Sequence, residues 1–547
     1  MSAPARTYPQ EVAPAATGPG GPGRRWRFSA GHGWVVGLAL LVLWSGWSSG
    51  IGREPVVNPY GWPTMRAFWA AALHPDLSPA YLATTADAAL TTVAFAVLGT
   101  MLAVVIGLVG GVLISEAWWL SRPSGNRVTR IRRRAAWLSG RVSLGVPRGI
   151  HEAVWGLFLV SVLGRDPMVG VLAIAIPFGA ITAKVYADII DETAGAPYRA
   201  LIDAGASRLS AMAYAAVPRS WRDLVSYGFY RFDCAIRSAV ILGMIGAGGL
   251  GFELSLTFQA LRYEQMWTLI YALVVVGAIV DRWGASLRVD APTRWLQASL
   301  LLGGGLTVAS GLYLGPDLER LFSGRTWTLL ADLAVQALPP TPPTSWSDLL
   351  GSAIVTLQMS LLAIAAGGAV GVVTAFVAAR DPTHGPVRAL LAAAARLLLL
   401  TIRAVSPPVW ALVLLFVFLP GPLPGALALG VYNAGILGRL FAEVVEDLDR
   451  RPAAALRAAG AGAAVTFLYG LVPLATNRFA AYAMYRWEIA IRESVVVGVV
   501  GAGGLGRLLE EQRAAFDHRG MLCVVLVLLV LSLMVDFVSA AARRTWR

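Results

Sequence analysis

The chain has 547 residues, 56% of them hydrophobic and only 14% charged, with a mean hydropathy of +0.63, which excludes an ordinary soluble domain and indicates a polytopic membrane protein. A net charge of +13 would suit nucleic acid, but the arginines gather in particular loops rather than along one soluble face, so nucleic acid is not expected as a partner. The two cysteines, Cys234 and Cys523, both lie in apolar segments and make neither a disulfide framework nor a cysteine metal site; no metal site of any kind is expected.

In chain order, residues 1–30 are rich in Pro, Gly and Ala and predict a disordered N-terminus. The apolar run 34–51 reads as a first span rather than a cleaved signal, being longer than a signal core and having a counterpart at 295–315. Further uncharged runs at 88–115, 168–183, 295–315 and 404–438 approach or exceed the roughly 20 residues that cross a bilayer. The longest is interrupted by "PGPLPG" at 420–425 and reads as two helices with a tight reversal. About twelve transmembrane helices are expected in all. Arg24, Arg25 and Arg27 precede the first span, and Arg122, Arg127, Arg130, Arg132, Arg133, Arg134 and Arg141 crowd the loop after the second. The positive-inside rule puts both in the cytoplasm, and twelve spans return the C-terminal "RRTWR" to the same side. Between them, 52–83 carries few charges and the amphipathic "MRAFWAAAL", which suits an external loop or interfacial helix.

Self-similarity is the strongest signal. "RFDCAIRSAVILGMIGAGGLGFEL" at 231–254 returns as "RWEIAIRESVVVGVVGAGGLGRLL" at 486–509, with 13 of 24 positions identical at an offset of 255. The same offset pairs Arg148 with Arg403, Trp155 with Trp410, Pro197 with Pro452 and Pro218 with Pro473, and the register slips by several residues in the basic loop after the second span. The chain therefore divides into a first repeat at 31–290 (core 84–284) and a second at 291–547 (core 350–540). Six spans in each give two tandem parallel repeats related by an axis along the membrane normal, an arrangement whose transport pathway usually follows the repeat interface.

Two motifs recur at fixed places. Between the fourth and fifth spans lie polar loops at 191–222 and 446–477, containing "RALIDAGASRLSAMAYAAVP" and "AALRAAGAGAAVTFLYGLVP", each with a glycine thirteen residues before a proline. The second motif, GAGGLG, matches the dinucleotide-binding GxGxxG pattern letter for letter, yet it follows a membrane helix instead of a strand, so its glycines are expected to turn backbone near the external mouth. Those residues are Gly246, Gly248, Gly249 and Gly251, and Gly501, Gly503, Gly504 and Gly506. No P-loop is present, since the only lysine is Lys184.

The paired loops resemble the EAA loop of ATP-binding-cassette (ABC) importer permeases. With "GILGRLFAEVVED" at 435–447 and the two glycine segments, the chain resembles the phosphonate-type branch of that family, as two permease copies fused in one chain. The resemblance implies an all-α type I importer, a MetI-like permease fold, in a bacterial cytoplasmic (inner) membrane. It also implies import of phosphonate, phosphate or phosphite from an external binding protein, and two copies of an ABC ATPase subunit that carry the ATP and Mg, with no cofactor in this chain. The single chain would act as a pseudodimer. By position, the ATPase-coupling residues are Asp203, Ala204, Gly205 and Ala206, and Arg457, Ala459, Gly460 and Ala461. The acidic residue of the family motif is replaced by Arg199 and Ala454. A same-fold importer for another small solute, such as an amino acid, and a non-energised channel remain alternatives. A membrane enzyme is disfavoured, because no Cys/His cluster, no HExxH and no catalytic residue set is found, and His151 beside Glu152 has no repeat counterpart.

Charges inside the spans are the candidate substrate pathway: Arg231, Asp233 and Arg237, and Arg486, Glu488 and Arg492. An arginine at a helix centre costs on the order of 3 kcal/mol on insertion scales. The i, i+4 spacing predicts local pairs Asp233–Arg237 and Glu488–Arg492. Arg231 and Arg486 are left without a sequence-local acid, with Glu493 a candidate partner across the interface. Arginine's planar fork suits an oxyanion.

Overall fold

The computed structural model describes residues 30–50, 56–120, 126–164, 166–288, 292–380 and 385–545. Most of the proposed disordered terminus, Arg24, Arg25, Arg27, Arg122 and the last two residues lie outside them. The first half begins with α1 (Ala30–Ser48), α2 (Gly61–Ala71) and α3 (Pro79–Ile114). Next come α4 (Arg127–Ser143), started by the Asn126 side chain accepting from the Thr129 amide, and α5 (Glu152–Leu163). These two are the arms of one span bent by 81°. α6 (Met168–Asp203) is kinked at Gly195, where φ of +48° separates its membrane part from the loop helix. α7 (Val217–Leu242), α8 (Gly249–Gln259) and α9 (Tyr263–Arg288) complete the half.

The second half repeats the order. α10 (Thr293–Leu314), α11 (Gly324–Gln336) and α12 (Trp346–Ala378) correspond to α1, α2 and α3. α13 (Pro386–Ala404) and α14 (Pro407–Leu414) bend by 90°, as α4 and α5 do by 81°. α15 (Pro422–Glu446) and α16 (Arg451–Ala458) divide the work of α6, and α17 (Val472–Val497), α18 (Gly504–Ala514) and α19 (His518–Thr545) close the chain. The "PGPLPG" segment does separate two helices, α14 and α15. Among the described residues, seven helices are long and apolar enough to span a membrane, and four bent pairs bring the number to eleven if each is one span; the shorter apolar helix Gly33–Ser48 stands where the twelfth was expected.

The halves exchange their first spans. Tyr313 on α10 donates to the Asp87 carboxylate on α3 at 2.6 Å, and Gln358 on α12 donates to Ser48 Oγ on α1 at 2.8 Å. Each half thus buries its second span against the other half's first, a geometry that ties the two copies together. Within each half the second and fourth spans lie nearly backbone to backbone, as small residues allow in a bilayer. A Cβ on Gly107 of α3 would fall 2.4 Å from Thr182 Cγ2 on α6.

The described part of the 52–83 segment, residues 56–83, does not lie loosely at a surface. Its helix α2 buries Phe68 among Tyr263, Trp267 and Phe416, the last from the other half, and the Trp267 indole donates to the Phe68 carbonyl at 2.6 Å. At the equivalent place in the other half no aromatic plug is present, and a cavity of about 240 Å³ remains between Trp155, Phe158, Leu333 and Leu522. The repeat is therefore symmetric in backbone and unequal in side chains.

A Gly107→Val variant is expected to separate α3 from α6, because the clash falls on the Cβ and Cγ2 of a β-branched neighbour. Overpacking of this kind costs about 1–3 kcal/mol. Thermal unfolding of the purified chain in detergent should show a lower midpoint than for Gly303→Val, where a Cβ meets nothing within 4 Å.

Candidate functional site: the seam between repeats

α7 and α17 carry the charges and meet at the interface of the halves. Ile241 and Val496, equivalent residues at the 255 offset, pack together with Ala153 and Ile245 in one buried cluster. Towards the loop end of the same helices, Tyr230 and Tyr485 are 41% and 49% exposed. The seam is therefore sealed on the glycine-motif side and opens towards the coupling loops.

The first predicted pair forms: Arg237 Nη2 donates to Asp233 Oδ2 at 2.8 Å, and both side chains are largely buried. Arg237 also faces Arg403 of the other half across a void of about 10 Å³, room for one water. The second predicted pair does not form. Glu488 is bound instead by Arg543 of α19, while Arg492 donates to two carbonyls, Glu488 at 3.1 Å and Arg148 at 2.8 Å. Sequence spacing favoured the nearer cation, but the last span lies beside α17 and brings a basic residue directly onto the carboxylate.

Arg486 and Arg231 hold equivalent positions, and both are 7% exposed. Arg486 donates from Nε to Asn433 Oδ1 at 2.8 Å and from Nη2 to the Glu493 carboxylate at 3.2 Å. Glu493 thus pairs within its own helix, not across the interface. Arg231 lies over the Phe178 ring, its guanidinium carbon 3.8 Å from the centroid, and its Nε and Nη2 have no hydrogen-bond partner. The neighbouring acid, Glu152, accepts from Ser238 Oγ at 2.5 Å, and His151 beside it caps the helix, its Nδ1 accepting from the Ala153 amide at 3.2 Å.

The glycine motifs are breaks in the helix, made at the same point in each half. π-helical turns, Gly243–Ala247 and Gly498–Ala502, end the α7 and α17 spans. Gly246 within the first turn and Gly248 and Gly249 after it have φ of +110°, +101° and +75°, and Gly501 within the second turn and Gly503 and Gly504 after it have +113°, +92° and +68°, a region open to glycine at little cost. Gly251 and Gly506 have no such φ; each needs its missing Cβ, which would sit 1.8 Å from the Val240 carbonyl oxygen or 2.0 Å from that of Val495. The broken end is covered by threonines: Leu250 N donates to Thr92 Oγ1 at 2.8 Å and Leu505 N to Thr356 Oγ1 at 2.9 Å. These threonines are 264 residues apart, so the slipped register hides their equivalence in the sequence.

At the opposite end of α7 and α17, both coupling loops close with the same cap. Ala206 N donates to the Leu201 carbonyl and Gly205 N to Ile202, and Ala461 N donates to Leu456 and Gly460 N to Arg457. This is the Schellman pattern, with glycine in the left-handed conformation at φ +89° and +85°. Asp203, Ala204, Gly205, Arg457, Ala459 and Gly460 are exposed, and Ala206 and Ala461 half-buried. Nothing lies within 4 Å of a Cβ at either glycine, so the constraint there is the backbone angle and not crowding. Beyond each cap stands an exposed tyrosine, Tyr214 and Tyr469, 81% and 73% exposed.

Several ionic contacts escaped the sequence. Asp191 accepts from the Glu116 and Ala117 amides at 2.9 Å and lies 3.6 Å from Arg141; Glu446 accepts from the Arg380 amide at 2.5 Å and binds Arg396. The acids and the two arginines keep the 255 offset, a signal that could have been read. Asp281 of α9 binds Arg403 at 2.6 Å and Arg439 at 3.0 Å, joining the halves along one seam. Its equivalent Asp536 leaves Oδ1 without a partner.

Two parallel six-span repeats, broken-helix glycines and twin capped loops define a membrane transport permease built as an internal pair. Residues 371–547 match the family model described as binding-protein-dependent transport system inner membrane component. The chain is 29% identical over 396 residues to the phosphate-import permease protein PhnE of Mycolicibacterium smegmatis, covering 70% of this chain and 73% of that one. It is 36% identical over 220 residues to the phosphite transport system permease protein PtxC of Stutzerimonas stutzeri, covering 40% of this chain and 78% of that one. A putative cryptic phosphonate transport system permease protein PhnE2 of Escherichia coli is 35% identical over 119 residues, 22% of this chain and 97% of that one. The chain belongs to the family of binding-protein-dependent ABC importer permeases and is the multi-pass inner-membrane component of such a system.

The re-paired carboxylate yields a direct test. Arg543→Met strands the largely buried Glu488 carboxylate and should cost about 2–4 kcal/mol, whereas Arg492→Met removes bonds to two carbonyls and should cost about 1 kcal/mol. Denaturation of the two purified variants orders them; equal losses would contradict the pairing.

Proposed function

We propose that this chain is the pseudodimeric permease of an ATP-driven importer for phosphonate or a related oxyanion, phosphate or phosphite, which it receives from an external binding protein and releases to the cytoplasm. The carrying observation is the seam itself: buried arginines stand at equivalent places on α7 and α17, at the level where the interface of the repeats closes. The relatives described above bear phosphate, phosphite and phosphonate transport names. Arg231, Arg237 with Asp233, and Arg492 with two carbonyls line this pathway, while Arg486, closed by Asn433 and Glu493, belongs to the frame that holds it.

Energy enters at the coupling loops. Two copies of an ATPase subunit, carrying the ATP and Mg, would dock on the loop around Asp203, Ala204, Gly205 and Ala206 and on that around Arg457, Ala459, Gly460 and Ala461, with Tyr214 and Tyr469 as exposed apolar contacts. The chain itself has no cofactor in this reading, and both termini face the cytoplasm with the loops. The glycine turns then face the external binding protein. Buried cations would serve an amino acid's carboxylate as well, so the oxyanion is favoured over an amino acid by the names of the relatives, and a non-energised channel has no use for twin caps.

The chain alone is expected to hydrolyse no ATP. Reconstituted with its ATPase and binding protein in proteoliposomes, it should hydrolyse ATP faster when phosphite, phosphate or methylphosphonate is present outside. Hydrolysis by the isolated chain contradicts the assignment. At Gly205 and Gly460 the left-handed backbone predicts an unusual order of severity: Asn, which tolerates this conformation, keeps ATPase co-purification, while Val loses it at a cost of roughly 1–2 kcal/mol per site. Retention with Val would remove the cap from the docking reading.

A further inference from the structure

Arg231 and Arg486 are the same residue in two copies, but their guanidinium edges are used differently. Nε and Nη2 together form one forked edge, the one that meets two oxygens of a carboxylate or phosphate side by side. In the second half that edge is full: Asn433 takes Nε and Glu493 takes Nη2. In the first half Phe178 and Ser238 stand at those two positions, each 255 residues earlier. Neither fills the edge, since Phe178 lies under the guanidinium face and the Ser238 hydroxyl donates to Glu152. The two atoms left without a partner on Arg231 are Nε and Nη2.

An arginine 93% buried with a whole fork empty is costly to maintain, because a buried charged donor without a partner loses the full desolvation penalty. Its copy shows that neutralising neighbours fit at this position. The unfilled state is therefore a difference in chemistry between halves, not a consequence of the backbone. The position also has access: Tyr230, the preceding residue, and Tyr485 of the other half are the half-exposed pair where the open part of the seam ends. Tyr227, one turn back, lies beside the same guanidinium.

We propose that the permease has one oxyanion site and not two, formed by the Nε–Nη2 edge of Arg231 over Phe178, and that Arg486 is its structural counterpart, with a fork closed permanently by Asn433 and Glu493. The substrate is a tetrahedral phosphorus oxyanion, two of whose oxygens take the places that Asn433 and Glu493 occupy in the other half. Transport through the fused pair is then lopsided, with the first repeat binding and the second supporting. This inference rests on the oxyanion reading given above.

The test uses the full complex with ATPase and binding protein in proteoliposomes, and uptake of phosphate, phosphite and methylphosphonate as the readout. Arg231→Leu should lower uptake by about tenfold to hundredfold, the loss of a charge-assisted bidentate contact. Phe178→Asn combined with Ser238→Glu and with Glu152→Gln, which removes the carboxylate that Ser238 now bonds and that the second half lacks, gives the first half the neighbours of the second, keeps the arginine, fills its fork and should lower uptake by a similar factor. Because the second half already accommodates this trio, the variant also decides the matter if Arg231→Leu fails to assemble. Replacing the second pair whole, Arg486→Leu with Glu493→Leu, should change uptake by less than about threefold, as a buried ion pair often exchanges for apolar residues at little cost. Full uptake in the filled-fork variant, or equal losses in both halves, overturns the single site while leaving the oxyanion importer intact. A wild-type complex that carries none of the three anions overturns the oxyanion reading itself.

Discussion

Everything in this chain follows from the cost of leaving a hydrogen-bonding group without a partner in hydrocarbon. Helices satisfy their backbone internally, so the spans are cheap; each departure from a helix has to be covered. The two glycine turns are covered by Thr92 and Thr356, the loop ends by Schellman caps, and Glu116, Ala117 and Arg380 by the acids Asp191 and Glu446. The charges obey the same rule, with Arg237, Arg486 and Arg492 each held by a named acceptor. Several single buried atoms, Arg141 Nε and Asp536 Oδ1 among them, also lack a partner, but Arg231 leaves both atoms of one forked edge unfilled.

Duplication explains how such a departure can be tolerated. A symmetric homodimer must place the same side chain at both equivalent sites, whereas a fused pair can change one alone. The chain has done so repeatedly: Phe68 plugs one outer site while a cavity marks the other, and Asp281 bridges the halves while Asp536 leaves one oxygen unpartnered. The backbone stays common because the exchanged first spans and the tight second–fourth span pairs depend on helix shape and small residues, which both copies retain.

In the proposed importer, energy enters at the loop end of α7 and α17 and the substrate meets their middle. α7 and α17 start just after the capped loops and end at the glycine turns, with the arginines between. One continuous element thus joins each loop to the seam, where Ile241 and Val496 form the closed contact. The π-helical turns at both ends of each helix are places where its backbone is already loosened.

The amino-acid order by itself determined the membrane class, the twofold repeat, the twelve spans and the places of both glycine motifs, because hydropathy, a constant offset and the φ demands of glycine are all local or linear properties. It also found the buried charges and paired Asp233 with Arg237 correctly, since partners four residues apart on a helix need no tertiary information. Only the tertiary structure decided that Glu488 belongs to Arg543, that Glu493 turns to its own helix, that Thr92 and Thr356 do the same work despite a slipped register, and that the bent third spans exist. Those facts depend on which helix lies alongside which, and in a bilayer helix order is set by packing of small residues and by exchanged spans, neither of which leaves a period in the sequence. The contrast between Arg231 and Arg486 is of this kind: the letters at 178, 238, 433 and 493 were always legible, but that they surround two equivalent forks was not.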